Sequence, residues 1–306
     1  MKRTVLFTLL CVSLLCAAVI LPCAAAAEEV YEENEWNYID ASMDIAGGIP
    51  AGVLGRLERI RETGKLRVAT EPYFAPQEFI DPSLSGQESF VGSDMELARL
   101  IAEKMGVELE IVPLDFTKVL PAVASGDCDL AISGLSYTPG RASMVTLSKA
   151  YHTAGESAGS GLLIRRENRN RIRTLADLKD REIAAQRGSL QEALLADRVF
   201  NYREFRRLSA MSDIFTALQQ RSVDAACVDI DNAQVYIRDN PGCGLMIVPD
   251  LVFVQEEQFD GDRIAARKGE TQLIAFVNGV IDELLESGQY EQWFDEYSAL
   301  AGELGL

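Results

Sequence analysis

A single histidine, His152, stands in 306 residues, and only three of the six cysteines, Cys128, Cys227 and Cys243, lie beyond residue 27. That scarcity leaves no cluster of nitrogen and sulfur ligands of the zinc type, so neither a metal nor a cofactor is expected. It also argues against a serine hydrolase. GESAG at 155–159 matches G-x-S-x-G, with Ser157 as nucleophile, but an apolar strand-like run, GLLIRR, follows it and the lone imidazole precedes it. The nucleophile elbow needs a strand before, a helix after and a histidine base within reach. Positive charge is short as well. The 29 Lys and Arg face 47 Asp and Glu, a net charge of −18, which argues against a nucleic-acid partner. No long apolar run follows residue 21, so no second membrane span is expected.

What is present begins with a targeting segment. Lys2 and Arg3 precede an uncharged apolar run and then Ala24 to Ala27, the pattern of a signal peptide over 1–27 cleaved near Ala26 or Ala27. Its removal takes two positive charges and leaves the mature chain at −20. Cys23 offers a second reading as a lipid-bearing first residue, against which Pro22 stands in the preceding position. The protein is thus expected in the periplasm or on the outer face of the cytoplasmic membrane. Residues 28–55 are acidic, then Gly- and Pro-containing, and read as a flexible tether. Cys128 and Cys227 sit in apolar runs and read as core thiols; spacing leaves a Cys227–Cys243 bridge open.

From residue 53 onward, elements alternate. A helical period ends at Gly64, 66–70 reads as a strand, and Ser93-Asp94 reads as the cap of a helix over 95–105 stopped by Gly106. Strand, helix and strand then follow at 108–112, 118–125 and 129–133, and the same grammar restarts after 162–165. A long helix over 270–287 and another over 290–300 close the chain. Such alternation with short links implies an α/β fold with mostly parallel sheets covered by helices, in two units.

One stretch carries more than structure. AISGLSYTPGR, 131–141, runs from a buried strand to an arginine at a helix start, with Thr138 as N-cap and Pro139 at the first helical position. Backbone N–H groups, small hydroxyls and a guanidinium gathered at a strand end suit an anion, most simply a carboxylate. An arginine on a short solvated helix would show the same local pattern.

GKLRVATEPYFAP, FVGSDMELARLIAEKMG, DLAISGLSYTPGR, AAQRGSLQE and VDAACVDID occur in that order. Together they resemble the bacterial extracellular solute-binding proteins of family 3, amino-acid receptors of ABC importers. The resemblance implies a two-lobed periplasmic-binding-protein (Venus flytrap) fold with two crossover strands. Lobe 1 would comprise 56–161 with 258–306 and lobe 2 162–257, with crossovers near 162–164 and 252–254. It implies a monomer that captures a polar or basic amino acid and hands it to a membrane permease. Residue by residue, Arg141, Ser136 and Ser189 match the carboxylate grip and Asp229 the ammonium acceptor. Phe74, Phe116, Ser133 and Glu71 match positions around the ligand side chain, the acid at 71 hinting at a cationic one. Two departures stand out: Gln77 where relatives have Phe, and Gly134 where they often have Ser or Thr.

The same resemblance extends to exported cyclohexadienyl (arogenate or prephenate) dehydratases, in which Glu192 could act as general acid. A receptor without catalytic residues is the reading preferred here. Intact-mass analysis of the exported chain should find a start beside Ala27; a start at Cys23 with added acyl mass would replace cleavage by lipidation.

Overall fold

The computed structural model describes residues 55–153, 159–253 and 260–306. The signal segment, Cys23, nearly all of the tether and Ser157 lie outside the described residues. The described chain runs α1 (Arg56–Thr63), β1 (Lys65–Thr70), β2 (Phe79–Ile80), β3 (Phe90–Val91), α2 (Ser93–Met105), β4 (Glu108–Pro113), α3 (Phe116–Ser125), β5 (Leu130–Ala131), α4 (Pro139–Met144) and β6 (Val145–His152). It continues with β7 (Ser160–Arg165), β8 (Glu182–Gln186), α5 (Leu190–Arg198), β9 (Glu204–Leu208), α6 (Met211–Gln219), β10 (Ala225–Asp229), α7 (Ile230–Asp239) and β11 (Leu245–Phe253). β12 (Asp262–Arg267), α8 (Thr271–Ser287) and α9 (Gln289–Leu304) complete it.

Two five-stranded sheets result, ordered β4-β1-β5-β12-β6 and β11-β7-β10-β8-β9. The chain changes sheet between β6 and β7 and returns between β11 and β12. Leu162–Ile164, expected as a crossover, lie inside β7, whose Ser160 already pairs with Asp229 of the second sheet. Val252 is likewise paired within that sheet, opposite Gly161, and Val254 lies outside the described residues. Parallel pairing is also less complete than alternation suggests. β1 runs parallel to β4 and β5, but β12 enters the first sheet from the other lobe and lies antiparallel to β5 and β6. In the second sheet β7 is antiparallel to both β10 and β11. A chain that crosses twice inserts each returning strand against the local direction.

Helices cover both faces of each sheet, so strand residues bury alternately in two cores. In β1, Val68 packs with Leu97, Ile101, Ile264 and Val277, while Ala69 faces Val119, Val123 and Val145 on the other side. In β10, Ala225 and Cys227 face one core and Ala226 and Val228 the other. Cys227 is fully buried, and it, Cys128 and Cys243 remain thiols, so the Cys227–Cys243 bridge does not form.

Asp94 departs from its expected role. α2 starts at Ser93 behind Gly92, and no side chain caps it. The Asp94 carboxylate instead accepts from the hydroxyls of Tyr151 (2.8 Å) and Tyr290 (2.6 Å) and from the Gly134 N–H (3.1 Å). It ties β6 and α9 to the turn that follows β5. Gly92 is required where it stands: its φ is +124°, and a Cβ there would lie 2.1 Å from the Gln77 carbonyl oxygen. Gly92→Ala should therefore destabilise the fold by about 3 kcal/mol or more, read as a lowered midpoint in thermal or urea unfolding.

Candidate functional site

The carboxyl ends of the parallel strands in both sheets point at one another. Glu71 follows β1 and Ser133 follows β5; across from them Gln186 ends β8 and Asp229 ends β10. Ligand crevices of α/β sheets form at such strand ends. All eight residues singled out from the sequence line a single cleft: Glu71, Phe74, Phe116, Ser133, Ser136 and Arg141 from one lobe, Ser189 and Asp229 from the other.

Arg141 is built in as the sequence suggests. The Thr138 hydroxyl accepts from the Arg141 N–H at 3.1 Å, and Pro139 opens the short helix. The guanidinium, 8% exposed, donates to the Ser136 carbonyl at 2.7 Å and to the Gly188 carbonyl of the other lobe at 3.4 Å. Its carbon lies 5.6 Å from the Phe116 ring centre. Among the described residues no carboxylate forms an ion pair with it. Loss of water pushes its pKa down to about 10, with Asp262 the opposing influence.

Ser189 caps α5, its oxygen accepting from the Glu192 N–H at 3.1 Å, which leaves its proton to give. Asp229 caps α7 in the same manner, one oxygen accepting from the N–H groups of Asp231 (3.0 Å) and Asn232 (3.2 Å). Desolvation, then the charges of Asp262 and Asp231, push its pKa up to about 7.

At the other end of the cleft Glu71 is 2% exposed, and desolvation raises its carboxyl to about 8 even though Gln186 of the second lobe hydrogen-bonds it. The Ser133 hydroxyl is already engaged, accepting from the Glu71 N–H (3.0 Å) and donating to Glu78 (2.9 Å). Glu78 itself went unnoticed in the sequence; it lines the cleft, and desolvation holds its pKa well above the carboxylate range. Phe74 explains Gly134: with φ at +51°, a Cβ there would meet the Phe74 ring at 2.9 Å, so Ser or Thr has no room. Gln77, in place of an aromatic wall, donates to Asp262 at 2.8 Å.

Asp262, His152 and Phe294 are among the other lining residues that sequence reasoning missed. His152 stacks on Phe294 at 4.9 Å and lies 3.0 Å from Glu291. Burial opposes its charge, but the hydrogen bond to Glu291 and the charge of Asp262 hold its pKa above the ordinary value. Asp262 is raised to about 6, chiefly by desolvation. Their partners lie far away in the chain, Glu291 139 residues from His152 and Gln77 185 residues from Asp262, so no local pattern announced them. The lobes also touch directly, Asn232 Nδ2 donating to the Ala75 carbonyl at 2.8 Å.

The model of the bacterial extracellular solute-binding proteins, family 3, matches residues 66–299. The chain belongs to this family. The chain is 29% identical over 238 residues to the arginine-binding extracellular protein ArtP of Bacillus subtilis, covering 75% of this chain and 86% of that one. It is 26% identical to a probable histidine-binding protein of Campylobacter jejuni, over 76% and 84% of the two chains. The solved structure of the amino-acid ABC transporter substrate-binding protein AbpA of Streptococcus pneumoniae, bound to L-arginine, superposes with a TM-score of 0.71. That match has 34% identity and covers 79% of this chain and 98% of the other.

Glu192, the candidate general acid, is not among the residues that line the cleft. Its carboxylate pairs with Arg207 and accepts from the Gly188 N–H at 2.7 Å, outside the lining of the cleft.

The raised carboxyls set a pH dependence. Glu71, Asp229 and Asp262 bind protons more tightly folded than unfolded, so the stability they contribute is full below their ordinary values of 3.8 to 4.5. It is lost as pH rises through about 6 to 8. The ligand-free protein should lose several degrees of melting temperature between pH 5 and pH 8, and Glu71→Gln should flatten that fall.

Proposed function

We propose that this solute-binding protein captures an amino acid with a cationic side chain and delivers it, as a monomer, to the membrane permease of an ABC importer. The observation that carries the reading is the buried Arg141 guanidinium, which has carbonyl partners but no carboxylate among the described residues. A ligand carboxylate supplies the missing anion. Ser189 adds a hydroxyl from the other lobe, and the second Asp229 oxygen takes the α-ammonium.

The balance of charge supports a cationic side chain. Glu71, Glu78, Asp229 and Asp262 line the same cleft as Arg141 and His152, and burial has pushed all four carboxyls upward. A zwitterion alone leaves that acid excess unanswered. A basic side chain between Phe74 and Phe116, with its cation at Glu71, answers it. The names of the ArtP and AbpA relatives point the same way.

Arg141 and Asp229 belong to different lobes, so only the closed arrangement serves both ends of the ligand. Closure is then driven by contacts that the open form lacks. Binding without turnover fits the engagement of Glu192 by Arg207.

Calorimetric titration of refolded, ligand-stripped protein against the twenty amino acids tests the reading. Saturable binding of arginine, lysine or histidine, near micromolar, is expected, which corresponds to roughly −8 kcal/mol. Silence toward all three would sink it. Arg141→Ala should weaken the bound amino acid by ~30-fold or more, the cost of leaving a buried carboxylate unpaired.

A further inference from the structure

The acid excess of the chain is not evenly spread. Residues 165–181 carry seven Lys and Arg against three Asp and Glu, a local charge of +4 in a chain of net charge −18. Arg166, Arg169, Arg171, Arg173 and Lys179 are exposed, and among the described residues none forms an ion pair. Side-chain partners are carbonyl and amide oxygens: Arg166 with Leu245, Arg169 with Arg166, and Arg173 with Arg169 and Asn170. Two of the three acids in the segment are otherwise engaged, while Asp180 is exposed without an ion pair among the described residues. Glu167 pairs with Arg165 and Arg221, and Asp177 is held by the N–H groups of Arg173 and Thr174.

The position of this patch in the fold is defined by β7. That strand starts at Ser160, opposite Asp229 in the cleft, and ends at Arg165, opposite Leu245. The basic segment follows Arg165 and leads back to Glu182 at the start of β8. It therefore occupies the pole of the second lobe remote from the cleft.

A second, independent feature shares that pole. Phe200 is 75% exposed, the most exposed large apolar side chain among the described residues. Its loop is fastened to the basic segment by backbone hydrogen bonds, Asp180 N–H to the Asn201 carbonyl and Arg203 N–H to the Arg181 carbonyl, both 2.7 Å. Tyr202 and Val199 beside it pack inward against Ile172 and Leu178, so the loop is braced while Phe200 stands out.

Guanidiniums without a carboxylate partner, at the same pole as a projecting aromatic ring, match a surface that is anionic and apolar just beneath. Arginine forks suit phosphate, and a phenyl ring suits the boundary between headgroups and acyl chains. We propose that this pole of the second lobe docks on a bilayer containing anionic phospholipids, leaving the cleft free to open. An acidic protein face would satisfy the arginines but gives no reason for an isolated projecting phenylalanine. The net negative charge elsewhere does not prevent docking, because screening confines each charge to about 10 Å at 0.1 M salt.

Vesicle co-sedimentation of the mature protein tests this, comparing phosphatidylglycerol-containing with purely phosphatidylcholine vesicles at low and high salt. Binding to the anionic vesicles alone, released by salt, is expected. Each arginine near the surface contributes on the order of fivefold, so Arg169→Ser, Arg171→Ser and Arg173→Ser together should weaken it roughly a hundredfold. Phe200→Ser should weaken it further without removing the salt dependence. Unchanged amino-acid binding and melting temperature in these variants show that they fold, and a failure of amino-acid capture would leave this result separately readable. Equal binding to both vesicle types, or an undiminished triple variant, overturns the proposal. So does capture of soluble polyglutamate without any vesicle binding, which would assign the patch to an acidic protein.

Discussion

Much of this molecule depends on holding one guanidinium out of water without giving it a counter-ion. A buried cation is costly unless paired, and Arg141 is offered carbonyl oxygens, a helix cap for its own N–H and the face of Phe116 instead of a carboxylate. Its depressed pKa reflects that cost. The nearest compensation is indirect, from Asp262, whose own carboxyl is engaged by Gln77. A site so arranged is poised for an external anion, and the surrounding acids are poised for an external cation.

The two-lobed fold turns this local imbalance into a switch. Strand ends from two sheets bring Arg141 and Glu71 from one side and Ser189, Gln186 and Asp229 from the other. Contacts between the lobes include single hydrogen bonds, from Asn232 to the Ala75 carbonyl, from Arg141 to the Gly188 carbonyl and between Gln186 and Glu71. Such bonds contribute about 1 kcal/mol each, too little to hold the lobes together alone. Under the proposed function, a ligand bridging Arg141 and Asp229 would add charge-assisted bonds on both sides and favour the closed form. Asp229 caps α7 with one oxygen and leaves the other to the cleft, so the strand end and the helix start are fixed by the group proposed to take the ligand ammonium.

What could be read in the sequence was local or motif-borne. Thr138-Pro139 announced α4 and its cap, Gly106 and Gly288 announced helix ends in left-handed geometry, and the ordered motifs brought eight residues to one cleft. What could not be read was long-range. Ser93-Asp94 before an apolar run is the usual look of a cap, yet the Asp94 carboxylate is taken by Tyr151, Gly134 and Tyr290, residues 40 to 196 positions away. Asp262 and His152 enter the cleft only because β12 returns from the second lobe and pairs with β6, an antiparallel join that strand–helix alternation does not foretell. Gly134 looked like the loss of a hydroxyl, whereas the Phe74 ring and a positive φ leave no space for one.

The central claim is that Arg141 is the partner of the ligand carboxylate and of nothing else in the ligand. The most direct measurement is a binding cycle that pairs arginine and its decarboxylated analogue agmatine with the wild-type protein and the Arg141→Ala variant. The account predicts that the substitution severely weakens arginine and leaves agmatine unchanged or slightly tighter, since it removes an unpaired buried cation. Equal weakening of both ligands would show that Arg141 supports the cleft without reading the carboxylate, and would contradict the account.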